Sequence, residues 1–198
     1  MKKFILILMV FSLLISVAGC SAQEESYRSD YSLKTVLSDK RQYSSLYELE
    51  GRAEIVVIGT FTGEAVQNVT YENSVEINKK IVTDVCSVNT LKIDKVLMGE
   101  CDSEEISVAQ RYGYIEENKQ LISFSALTPM LKNDSWVLFL KKGEDGNYWV
   151  CGDNHGRYPV PDKTYTKIAQ AEASDFGVYS KSDFNGHIYS EIKEKYFS

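Results

Sequence analysis

Ile81-Val82-Thr83-Asp84-Val85-Cys86-Ser87-Val88-Asn89-Thr90-Leu91-Lys92-Ile93-Asp94-Lys95-Val96-Leu97-Met98 is the longest unbroken strand pattern in the chain. Its apolar side chains fall first at Val82, Cys86 and Val88, then at Leu91, Ile93 and Leu97. A strand presents alternate residues to one face, so the inward parity is expected to switch between Val88 and Leu91. One extra residue at a β-bulge produces such a switch, and bulged, bent strands let small barrels turn their corners. The pattern predicts a barrel.

Outward from it, Gly99 ends the strand, and Glu105 to Gln110 alternates with Ile106 and Val108 on one face. Ala53-Glu54-Ile55-Val56-Val57-Ile58-Gly59-Thr60-Phe61 is β-branched and apolar on both faces, the mark of a buried central strand. Gly59 inside it predicts a bend or a close backbone approach. Trp136-Val137-Leu138-Phe139-Leu140 is again apolar on both faces, and Gly143-Glu144-Asp145-Gly146-Asn147 turns the chain into Tyr148-Trp149-Val150-Cys151. Ser45-Leu46-Tyr47-Glu48 fits a capping box that opens a short helix to about Glu50. Ile188, Ile192 and Tyr196 recur every fourth residue, the stripe of a closing helix. Glu64 to Lys80 reads as a loop or ragged hairpin, and Tyr112 to Lys132 as a long connection with a helical turn. The expected fold is mainly β, a small bent antiparallel OB-like barrel with a short N-terminal helix and a C-terminal helix. The barrel domain is placed at 44–162 and the C-terminal helical segment at 163–198.

The N-terminus carries an address. Met1-Lys2-Lys3 is basic, Phe4 to Val17 is almost unbroken apolar, and Val17-Ala18-Gly19-Cys20 follows. A charged start, an apolar run shorter than the about 20 residues of a membrane span and small residues before a cut site form an export signal. Val17-Ala18-Gly19-Cys20 resembles the lipobox of bacterial lipoproteins. That resemblance implies a signal peptide at 1–19, cleavage before Cys20, a diacylglyceryl group on the Cys20 thiol and, as often in that family, an acyl chain of the palmitate type on its new amine. Two acyl chains anchor a protein stably without a spanning helix, so the expected location is the cell membrane, lipid-anchored on the extracytoplasmic side. Residues 20–43, polar and without apolar period, are expected to form the lipidated Cys and a tether.

The order of helix, Ala53 to Gly59, Lys95-Val96-Leu97-Met98-Gly99 and Leu131-Lys132-Asn133-Asp134-Ser135-Trp136-Val137-Leu138-Phe139-Leu140 is similar to uncharacterised exported proteins of Gram-positive bacteria. These in turn resemble OB-fold barrels of the TIMP and netrin type, and the likeness covers Ser45 to Val160. The metal-chelating N-terminal amine of the TIMP-type inhibitors does not carry over. An acylated Cys20 amine has lost its lone pair, and Cys20-Ser21-Ala22 lacks a Cys-x-Cys start.

A net charge of −6, more negative once Lys2 and Lys3 leave with the signal, repels phosphate backbones and argues against nucleic acid as a partner. Besides Cys20 the chain has Cys86, Cys101 and Cys151, an odd set with no close pair to seat zinc. Cys86 and Cys101 flank one long strand and are held too far apart to bond. All three read as small apolar side chains. His155 and His187 are the only histidines, and a metal site would have to recruit them with Asp153 or Asp162 across a long sequence gap. No Gly-x-Ser-x-Gly elbow is present, and Cys151–His155 is the one local thiol–imidazole spacing. No pair of carboxylates is marked out for glycosidase work. The expectation is therefore no catalytic residues, no metal and no cofactor. Tyr112, Tyr114, Tyr148, Tyr158 and Tyr165 fall in or beside predicted loops and strand ends, where they serve as interface rings or as caps on the barrel's ends. The function read from these features is a lipid-anchored extracytoplasmic binding module without catalysis, its partner an envelope or extracellular protein. The alternatives are a small-molecule-binding lipoprotein and a cell-envelope hydrolase.

Overall fold

The computed structural model of the chain describes residues 31–36, 42–63, 65–74, 79–124, 129–130, 132–161 and 184–198. The signal, Cys20, Asp162 and Tyr165 lie outside them. The elements run β1 (Ser32–Val36), α1 (Leu46–Glu50), β2 (Ile55–Phe61), β3 (Val66–Ser74), β4 (Lys79–Met98), β5 (Glu105–Gln110), β6 (Tyr112–Ile115), β7 (Gln120–Phe124), β8 (Ser135–Lys142), β9 (Tyr148–Val150), β10 (Arg157–Pro159) and α2 (Phe184–Phe197). The fold is mainly β, a small OB-like barrel with, among the described residues, one short helix and one C-terminal helix.

Five strands close the barrel in the circuit β8-β2-β4-β5-β9-β8. The seams β2–β4, β2–β8, β4–β5 and β8–β9 are antiparallel, whereas the closing seam β5–β9 is parallel and spans only Val108↔Tyr148 and Ala109↔Trp149. β10 extends the sheet beyond β8, and β3 pairs with the N-terminal half of β4 as a long hairpin.

β2 and β8 are apolar on both faces because each separates two cores. Ile55, Val57, Phe61, Trp136, Leu138 and Leu140 point into the barrel with Leu91, Ile106 and Val108. Val56, Ile58, Val137 and Phe139 face the other way, onto Leu46 and Leu49 of α1 and Ile188 and Ile192 of α2. The two helices are clasped at both ends. The Leu46 amide donates to Glu191 Oε2 at 2.7 Å, while Glu50 accepts from Lys195 Nζ and, at 2.5 Å, from the Tyr196 hydroxyl. Ser45 caps α1 by accepting from the Glu48 amide at 3.3 Å. The Glu48 carboxylate, however, turns to the Ser44 amide and hydroxyl rather than completing the box on Ser45.

The long strand corrects the sequence reading. Val85, Ser87, Asn89 and Leu91 are all buried, so one parity runs inward through the place where a switch was expected. Cys86 and Val88, read as inward, lie on the opposite face and are half-buried. Bulges do bend β4, but at Thr83, Asp94 and Leu97, where β4 advances two residues against one on its neighbour. The misreading came from polar side chains taking core positions. Gln110 Nε2 donates to Asn89 Oδ1 at 3.1 Å, Gln110 Oε1 accepts from the Met130 amide at 3.0 Å, and Ser87 Oγ donates to the Tyr112 carbonyl at 2.8 Å. A buried polar group that keeps its hydrogen bonds is tolerated inside.

Two further stretches depart from expectation. Ser32–Val36, assigned to the tether, is strand β1 and pairs in parallel with β7. Tyr112 to Lys132, read as a connection, holds the β6–β7 hairpin around a helical turn at Glu116–Asn118. β1, β7 and β6 make a three-stranded sheet whose Ile115 and Ile122 cluster with Val85, and with half-buried Val69 and Val82, of the β3–β4 hairpin.

Gly59 is the close approach that its position predicts: a Cβ there would stand 2.8 Å from Leu91 Cγ and 2.8 Å from the Lys92 carbonyl oxygen. Gly59→Ala is expected to cost about 1–3 kcal/mol by overpacking, measured as a lowered urea midpoint at unchanged m. Gln110→Leu, which strips a partner from both Asn89 and the Met130 amide, is expected to cost about 1–3 kcal/mol in the same titration.

Candidate functional site

The pairing registers place one row of side chains across four strands. Val66 on β3 stands opposite Val88 on β4, Val88 opposite Ala109 on β5, and Ala109 opposite Trp149 on β9. Residues paired this way share a face, and here it is the outer face, because Ser87, Asn89, Val108 and Gln110 take the inner one. Ala109 is buried within the row, Val88 and Trp149 are half-buried, and Val66 is 66% exposed. Cys86, paired with Asn68, adds a half-buried thiol one rung along.

The row ends on a fixed indole. Trp149 Nε1 donates to Asp145 Oδ1 at 3.2 Å, and Gly143 leaves the room: a Cβ there would lie 2.7 Å from that nitrogen. Hydrogen bonds from Asn147 and Trp149 hold the Asp145 carboxyl below its usual range. Asp84, paired at 3.5 Å with Arg111, lies along β4 beyond Cys86, opposite Thr70. Burial, then Asp84 and Asp145, pushes the Cys86 thiol up. An apolar row with one carboxylate, Asp145, at its Trp149 end suits a partner surface that is apolar at its centre and neutral or basic beside the indole. A second feature is a shallow open groove of about 440 Å³ beside α1, lined by Gln42, Tyr43, Tyr47, Glu48, Glu50, Gly51 and Arg52.

The tyrosines singled out by sequence scatter over three places. Tyr112 is buried and Tyr114 half-buried on β6, their rings edge-to-face at 6.1 Å, and Tyr31 joins them edge-to-face on Tyr114 at 5.2 Å. Tyr148 packs against the barrel core. Tyr158 is buried among Phe139 and the stacked ring of Tyr189, where burial drives its hydroxyl's pKa up. Tyr112 and Tyr158 therefore serve the cores rather than a partner. Sequence reading missed Val66, Val88 and Trp149 as a group, because only the strand register joins them.

Cys86, Cys101 and Cys151 are free thiols, Cys151 buried and the other two half-buried. His187 is exposed and 3.4 Å from Glu191. His155 lies in the helical turn Asp153–Gly156. Among the described residues no group of three or more His, Cys, Asp and Glu side chains is placed to hold a metal ion. Burial pushes the Cys151 thiol up to about 11, the reverse of what a thiolate nucleophile needs. Among the described residues no helix is long and apolar enough to cross a membrane. Comparison of the sequence with protein-family models and with curated proteins returns no match.

A thiol that titrates near 9 when unfolded and near 11 when folded supports the fold below pH 9 and withdraws that support as the pH rises through about 11. Urea unfolding from pH 8 to 11 should show wild type losing stability more steeply above pH 9 than Cys151→Ala. Native Cys151 labelled by iodoacetamide at pH 7.5 as fast as in denaturant would contradict this burial.

Proposed function

We propose that this chain is a lipid-anchored extracytoplasmic module that binds a protein partner and carries no catalysis of its own. The observation that carries the reading is the outer row Val66–Val88–Ala109–Trp149, an apolar line across four paired strands of an acidic protein. Its centre is closely packed, its indole is held by Asp145 and Gly143, and its exposed end, Val66, leaves an apolar side chain in water. Aromatic anchors held rigid before contact bind at low entropic cost. The Val17-Ala18-Gly19-Cys20 motif supports the anchor, with acyl chains on Cys20 holding the barrel at the outer surface of the cell membrane.

Both halves of the reading have a direct test. Cys20→Ala is expected to abolish incorporation of an alkynyl fatty acid and to move the protein from the membrane to the soluble fraction; a wild-type chain that takes up no label removes the anchor. A photo-crosslinking residue at Val66 in the acylated protein is expected to capture one protein in stoichiometric yield, with at least a tenfold loss when Trp149→Ala is added. Capture that is unchanged by Trp149→Ala, or absent altogether, would remove the row as the binding surface and turn attention to the α1 groove and a small ligand.

A further inference from the structure

The sheets end in four strands that pair on one side only among the described residues, and three of them are protected. β10 has three residues, one of them Pro159, which cannot donate to a ladder. β1 has five and carries Lys34. β6 has four, three of them buried, and its Tyr114 amide already donates to Gln67 Oε1 at 2.6 Å. Short length, lysine and proline are the usual guards of an exposed edge. β3 has none of them. It runs nine residues, Val66-Gln67-Asn68-Val69-Thr70-Tyr71-Glu72-Asn73-Ser74, with one charge, and among the described residues β4 is its sole sheet neighbour.

We propose that β3 pairs antiparallel with β3 of a second copy, through a two-fold axis at Thr70. That register uses the whole strand: Val69 stands opposite the other copy's Tyr71, Asn68 opposite Glu72, Gln67 opposite Asn73 and Val66 opposite Ser74. The single charge of the strand thus meets an amide, whereas a parallel pairing in register, or a two-fold at Glu72, would set two carboxylates against each other. The apolar side chains are complementary in the same register. Val69 is half-buried against the cluster of Val85, Ile115 and Ile122, while Tyr71 beyond it is 43% exposed. Pairing lays each Tyr71 ring beside the other copy's Val69, an aromatic–β-branched cross-strand contact made twice. Isologous two-fold contacts of this kind are the commonest route to a dimer. The outer row lies on a sheet face, and edge pairing leaves Val88, Ala109 and Trp149 open while setting the second copy's Ser74 beside its Val66 end.

The test uses the full-length protein in membranes carrying Cys86→Ser and Cys101→Ser, with a short bis-maleimide as the linker. Thr70→Cys is expected to give a linked dimer, and Glu144→Cys, on the exposed β8–β9 turn, at least tenfold less. Mixed expression of Asn68→Cys with Glu72→Cys should link, and each alone should not. Adding Thr70→Lys to the Asn68→Cys and Glu72→Cys pair, which sets two ammonium groups together on the axis, should abolish the link while the circular dichroism spectrum stays native. Equal yields at Thr70→Cys and Glu144→Cys would mean random collision and overturn the pairing. So would links that survive Thr70→Lys, or a Thr70→Cys adduct that contains only a different protein.

Discussion

One strand meets three neighbours, and the rest of the molecule depends on how it does so. β4 pairs with β3 through its first half, with β5 through its middle and with β2 through its last third. A flat strand cannot serve all three, because successive neighbours lie in different directions. The bulges at Thr83, Asp94 and Leu97 supply the bend and twist, each adding one residue on β4 against its partner. Between the bulges the parity holds, so Val85 reaches the small sheet while Leu91 reaches the barrel interior from the same face. The hairpin and the barrel are thus two ends of one continuous surface.

The polar groups on that surface explain why it tolerates them. Ser87 and Asn89 sit where barrel core gives way to the small sheet, and each is tied to chain arriving from elsewhere. Ser87 binds the start of β6, and Asn89 binds Gln110, which holds the Met130 amide. An apolar residue at 89 or 110 would bury as well but would leave the Met130 amide or its partner short of a bond. The network therefore fixes where the β6–β7 excursion leaves the barrel and where the chain returns to it before β8. A hydrogen bond, unlike an apolar contact, specifies which atoms meet.

Legibility in the sequence followed from what each element buries. α1, α2, β2 and β8 were readable because a single residue pattern reports their burial: a stripe of Ile188 and Ile192, or apolar side chains at every position from Trp136 to Leu140. The barrel was readable because those elements, with Ile106 and Val108, leave few other ways to bury so much apolar surface. β1 was not readable, since Ser32 to Thr35 are exposed and its place is fixed by backbone pairing with β7. The face of β4 was read wrongly because periodicity counts apolar residues, and here Ser87 and Asn89 are inside while Val88 is out. The tyrosines drew attention by number, but ring size makes Tyr112 and Tyr158 as useful in a core as at an interface.

The outer row was illegible for a deeper reason: its members are joined only by register, and register is set by turns and bulges spread over the chain. The same register closes the barrel. The parallel seam between β5 and β9 consists of Val108↔Tyr148, whose side chains face in, and Ala109↔Trp149, whose side chains face out. A seam two residues long is a weak place to close a cylinder by backbone bonds alone, so side-chain packing on both faces must contribute. Inside, Val108 and Tyr148 belong to the core. Outside, the indole of Trp149 is held against Gly143 and Asp145 at the hairpin turn that delivers β9 to the seam. A partner seated on Trp149 would therefore press on the closure itself, and binding at the row and stability of the barrel would be coupled through one residue.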